Sequence, residues 1–108
     1  MPRAAIAVTQ ADRAGVTLTP TTGDPVNNHT VANDGRTGVI VENSGSTVAR
    51  TVTFKITRKV DGYAVTPRTE SIPVGQRQLF GPFDVQEYGG QLQIDVDNAE
   101  LKLTPIRI

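Results

Sequence analysis

The chain has 108 residues, of which 37% are hydrophobic and 20% charged, with a formal net charge of zero and neither Cys nor Trp. That length holds one domain, since domains typically run to about 100–150 residues. The lack of cysteine excludes disulfide scaffolds, Cys-ligated metal centres and thiol nucleophiles.

Val, Ile and Thr together supply 34 residues. Their branched Cβ atoms are stiff at χ1 and pack well on a pleated surface, which points to an all-β chain. In chain order, residues 4–8 and 16–19 read as short extended pieces. Residues 20–36 are loop-like, rich in Pro, Gly, Asn and Asp, with a short strand at His29–Ala32. The clear pattern begins at Gly38: a strand over 39–43 closes on the turn Asn43-Ser44-Gly45-Ser46. The longest strand follows at 50–60, where Val52, Phe54 and Ile56 alternate with Thr51, Thr53, Lys55, Thr57 and Lys59. Such strict alternation marks one face in the core and one in water.

Asp61-Gly62 is a hairpin signal, and residues 63–72 return to the corner Pro73-Val74-Gly75-Gln76. A strand over 78–83 breaks at Gly81-Pro82, and Tyr88-Gly89-Gly90 turns. Leu92, Ile94 and Val96 then alternate with polar residues before a last strand carrying Leu101 and Leu103. Seven or eight short strands with frequent turns mark an antiparallel sandwich or barrel, and the fold expected is a single antiparallel β-sandwich, immunoglobulin-like or jelly-roll-like. Within that one domain, residues 1–36 form a loop-rich arm with short strands and 37–108 the sandwich core. The opening apolar stretch ends at Thr9, too early for a signal peptide, and no run of about 18 apolar residues could cross a membrane as a helix. Synthesis in a cytoplasm is expected.

Charge is balanced but unevenly placed. Residues 50–77 carry six cations against two carboxylates, while 84–100 carry five carboxylates and no cation. Either the two segments attract neighbouring copies head to tail, or they neutralise each other inside the fold. Arg50, Lys55 and Lys59 against Asp95 and Asp97 are therefore interface candidates. Phe83 and Tyr88, placed beside chain breakers, are anchor candidates if exposed and plugs of the sandwich end if buried.

Chemistry finds little footing. His29 is the sole histidine, and no Gly-x-Ser-x-Gly elbow surrounds Ser44, Ser46 or Ser71, so His29 reads as a loop or interface residue and no enzyme is expected. Asp95, Asp97, Asn98 and Glu100 lack the spacing of a calcium loop and read as a solvent face, so neither metal nor cofactor is expected. With zero net charge and five aromatic residues, nucleic-acid binding is not expected either.

The order from Val39 onward, with Val41-x-Asn43-x-Gly45 before the long strand and Pro73-x-Gly75 at a later corner, resembles immunoglobulin-like sandwich modules. A second resemblance rests on several motifs taken together: residues 3–8, His29-Thr30-Val31-Ala32-Asn33, Val41-x-Asn43-Ser44-Gly45-Ser46-Thr47, Gly81-Pro82-Phe83 and Asp95-Val96-Asp97-Asn98-Ala99-x-Leu101. These are similar to small structural proteins of actinobacterial tailed phages and prophages, whose genes sit near those for capsid and tail. The resemblance implies a virion protein, foremost a capsid decoration protein bound to the major capsid protein, self-associating or making lattice contacts. A neck or tail completion protein is the first alternative, and a carbohydrate- or ligand-binding module the second.

Overall fold

The computed structural model describes residues 3–56 and 59–107, so Thr57 and Arg58, expected inside the long strand, lie outside the described residues. The strands in chain order begin with β1 (Ala4–Ile6), β2 (Thr9–Gln10), β3 (Thr21–Thr22), β4 (His29–Ala32), β5 (Thr37–Asn43) and β6 (Arg50–Lys55). After them come β7 (Lys59–Val60), β8 (Tyr63–Ala64), β9 (Arg68–Ile72) and β10 (Arg77–Phe80). A single helical turn, α1 (Val85–Tyr88), precedes β11 (Gln91–Val96) and β12 (Leu101–Arg107). The described residues thus hold twelve strands where seven or eight were expected, because short pieces at the chain's start and at the hairpin tip pair as well.

The strands form two five-stranded sheets. One runs β1-β4-β11-β6-β9; the other runs β10-β5-β12-β2, with β3 also on β12, while among the described residues β7 and β8 pair only with each other. The expected all-antiparallel arrangement needs correcting. β1 lies parallel to β4, and β2 parallel to β12. Both parallel pairs arise because the first ten residues are laid along edges that later strands leave open. Residues 1–36 contribute four strands in all, divided between the two sheets.

Of the seven principal strands, β4, β5, β6, β9, β10, β11 and β12, taken in order as A–G, only two neighbouring pairs lie as they do in an immunoglobulin sandwich. The B–E and C–F pairs are present as β5–β10 and β6–β11. The other three strands differ: β4 lies beside β11, β9 beside β6 and β12 beside β5, so A neighbours F, D neighbours C and G neighbours B, and the immunoglobulin order is not reproduced.

Alternation dictates what fills the space between the sheets. Val39 and Val41 of β5, Val52 and Phe54 of β6, Leu92 and Ile94 of β11, and Leu101 and Leu103 of β12 are all fully buried, while the residues between them face outward. Ile6, Ile72, Phe80, Phe83 and Tyr88 complete one continuous core. Phe54 of one sheet meets Phe80 of the other with ring centroids 5.3 Å apart, which ties the layers at that end. Pro105, with no N–H to give, falls on the short stretch of β12 between the residues that pair with β3 and those that pair with β2.

Candidate interaction surface

The basic and acidic segments are brought together inside the fold. β6 and β11 are antiparallel neighbours, with Lys55 opposite Gln93 and Thr53 opposite Asp95. Asp95 receives the Arg3 guanidinium and stands 3.7 Å from Lys55 Nζ, while Arg50 Nε donates to Glu100 at 2.8 Å. Arg68 and Glu70 pair along β9 at 2.9 Å, and that pair, helped by Tyr88, holds the Arg68 guanidinium above the ordinary arginine range. Local neutralisation therefore takes up Arg50, Lys55 and Asp95. Of the five charged interface candidates, Lys59 and Asp97 remain as exposed side chains without an ion pair among the described residues.

Phe83 and Tyr88 are placed inside rather than at the surface, being 1% and 8% exposed. Asp84 caps α1 by accepting the Gln86 N–H, and that one turn swings Tyr88 edge-on to Phe83, with centroids 4.9 Å apart. Phe83 in turn lies 5.0 Å from Phe54, so the aromatic residues beside the breakers are plugs of the sandwich end.

His29 is likewise not a surface residue. It is 2% exposed on β4; its Nε2 accepts the Asp24 N–H at 2.9 Å and its Nδ1 donates to the Ala4 carbonyl at 3.2 Å. Both ring nitrogens are thereby used in the Nδ1–H tautomer, tying β1 and the turn at residues 24–28 to β4. No nitrogen is left to serve a serine as base. Among the described residues no three His, Asp or Glu side chains converge on a possible metal position. Asn98 accepts the Glu100 N–H, and Glu100 is occupied by Arg50.

Asn43 has a larger structural part than its motif foretold. Fully buried at the end of β5, it donates from Nδ2 to the carbonyls of Val48 and Ile72, both at 3.0 Å, and accepts the Gly45 N–H on Oδ1 at 2.9 Å. Its backbone binds Gly75 and Gln76 of the Pro73 corner. The two turns that carry the immunoglobulin-like motifs therefore meet on one side chain.

Two surface features remain unused by the core. The β7–β8 hairpin lifts Val60 and Tyr63, directly opposite each other across the ladder, to 55% and 77% exposure. The second is an apolar hollow of about 350 Å³ over the outer face of the sheet at β10 and β5. Gly38, Leu79, Pro82 and Ile106 line it, and Leu79 is 62% exposed at its rim. The hollow exists because Gly38 brings no side chain to that face and Gly81, at φ +130°, passes so close that a Cβ would stand 2.9 Å from the Gly38 Cα. The sequence signal for it is the glycine pair, legible only once β5 and β10 are known to be neighbours. No family model, curated protein or solved structure matches the chain.

Proposed function

We propose that this protein is a structural component of a tailed-phage particle, made in the bacterial cytoplasm and seated as a decoration on the capsid exterior, with the major capsid protein as its partner. The motif resemblance to small phage structural proteins gives the setting. The observation that carries the docking mode is the β7–β8 hairpin. Among the described residues it pairs with neither sheet, and it presents Tyr63 and Val60 to solvent beside Lys59. A rigid aromatic and a branched aliphatic at a hairpin tip suit an anchor that enters a cleft between subunits, with one cation at the rim. Such a protein works by binding rather than chemistry: it favours the assembled lattice because it binds that state and not the free subunit.

The test is co-sedimentation with empty shells of a phage that encodes the chain, counting copies bound per shell. Wild-type protein is expected to saturate at a stoichiometry set by the lattice, and Tyr63→Ala with Val60→Asp to abolish binding while the unfolding midpoint stays in place. Absence of binding by the wild type overturns the capsid seat in favour of neck or tail. Undiminished binding by the variant overturns the hairpin as anchor.

A further inference from the structure

Residues 11–20 are exposed throughout, and Val16 and Leu18 stand 46% and 42% open to solvent. Val16-Thr17-Leu18-Thr19 has the period of a strand, with two apolar side chains on one face and two threonines on the other. Its backbone nevertheless makes no hydrogen bond with the described residues, the last in this loop being Gly15 N–H to the Asp12 carbonyl. This is a strand sequence without a strand partner.

A matching vacancy lies elsewhere on the same sheet. β10 pairs with β5 along one side, and its other side has no neighbour among the described residues. Edge strands are commonly guarded by charge, proline or a bulge. β9 is guarded by the Arg68–Glu70 pair, whereas Arg77-Gln78-Leu79-Phe80 has one charge at its start and the exposed Leu79 over the apolar hollow. The chain cannot satisfy this edge with its own segment. β2 and β3, which flank residues 11–20, are both held on β12, on the far side of β5 from β10.

We propose that residues 16–19 of one copy add as a strand to the open edge of β10 in a second copy, laying Val16 and Leu18 against Leu79 at the rim of the hollow. Main-chain hydrogen bonds hold the added strand, and the alternate apolar side chains select it. The donor segment and the acceptor edge lie on opposite sides of one sheet, so the contact is heterologous: it adds one strand to each acceptor sheet, links copy to copy and ends only if the rotation closes a ring. The association needs no capsid and stands or falls separately from the docking proposed above.

Sedimentation velocity of the full chain tests it, using Leu18→Asp to spoil the donor and Leu79→Asp to spoil the acceptor. Both positions are exposed, so both variants are expected to unfold at the wild-type midpoint. The wild type should form species larger than monomer as concentration rises, and each variant alone should stay monomeric. An equimolar mixture of the two should form a dimer, because the intact donor of one meets the intact acceptor of the other. In this cysteine-free chain, oxidising a mixture of Leu18→Cys and Leu79→Cys proteins should give a cross-linked dimer joining one of each. A wild type that stays monomeric at its highest soluble concentration, variants that associate like the wild type, or a mixture that stays monomeric would each overturn the proposal.

Discussion

Replacing Asn43 by alanine should be the most damaging polar substitution in the chain. The side chain makes three hydrogen bonds, at 3.0, 3.0 and 2.9 Å, to the Val48 and Ile72 carbonyls and the Gly45 N–H. The Ile72 bond is wholly buried, so that carbonyl keeps its full desolvation cost, about 1–3 kcal/mol, once its donor is gone. The other two lie in part-buried turns where water recovers some of the loss, at about 0.5–1.5 kcal/mol each. Together with the small void left by the shorter side chain, the expected loss is roughly 3–5 kcal/mol. That is a large share of the ~5–15 kcal/mol that holds a domain of this kind together. Urea unfolding followed by fluorescence or circular dichroism measures it, provided the denaturant slope stays unchanged. Asn43→Asp sharpens the test: the carboxylate keeps the Gly45 bond but turns two carbonyl oxygens from accepted partners into repelled ones. Despite its near-identical shape it should be at least as destabilising at neutral pH. A loss below about 1 kcal/mol for the alanine variant would mean that the turns are held by their backbone bonds to Gly75 and Gln76 alone, and the reasoning would fail.

Gly81→Ala should cost roughly 2 kcal/mol or more by thermal unfolding, since φ is +130° and the new Cβ meets backbone of Thr37 and Gly38; a neutral result would show that the strand end moves aside freely. Arg50→Ala should change stability by less than about 1 kcal/mol and in a salt-dependent way, because the pair with Glu100 is a quarter to a third exposed; a larger, salt-independent loss would make the pair structural. Asp24 accepts the N–H groups of Asn27 and Val26, which hold its carboxyl below the ordinary 3.8. A lowered folded value means stability that is present above pH 3.8 and drains away as pH falls through the folded value, so Asp24→Asn should flatten the acid limb of a pH–stability curve. An acid limb identical to that of the wild type would count against it.

What the amino-acid order made legible is the set of strands whose alternation is long enough to define a face. β5, β11 and β12 lie where alternation puts them, with Ile94 and Leu103 inward as expected; of the strand expected over 50–60, β6 keeps Arg50–Lys55 with Phe54 inward, while Lys59–Val60 belong to the separate β7. Residues 16–19 have the same local pattern but no pairing, since a strand is completed by its neighbour and the outer edge of β12 is taken by β2 and β3. Phe83 and Tyr88 sit among breakers, a local pattern that leaves exposed anchor and buried plug both open. One capped turn at Asp84 folds both rings into the core. His29 offers no local signal at all, because its two partners, Ala4 and Asp24, are brought to it by separate loops. The charge segments left attraction between copies and neutralisation within the fold both open, and only the pairing of β6 with β11 shows Lys55 and Arg3 gathered around Asp95.

The first ten residues tie these points together. β1 covers the open edge of β4 in one sheet and, within three residues of its end, β2 covers the end of β12 in the other. Arg3 reaches from this strap to Asp95 and to the carbonyls of His29 and Ile94, so the same cation neutralises the acidic strand and holds β1 in place. One side of the sandwich is thereby closed by a single crossing segment. The opposite side, where β9 and β10 run as edges joined by the Pro73 corner, has no such strap among the described residues. There the two edges are treated differently: an ion pair guards β9, and a bare leucine marks β10. A chain that spends its first strands closing one side and leaves on the other an edge with a single charge, Arg77, at its start has a built-in polarity. That polarity gives any association through its sheets a head and a tail.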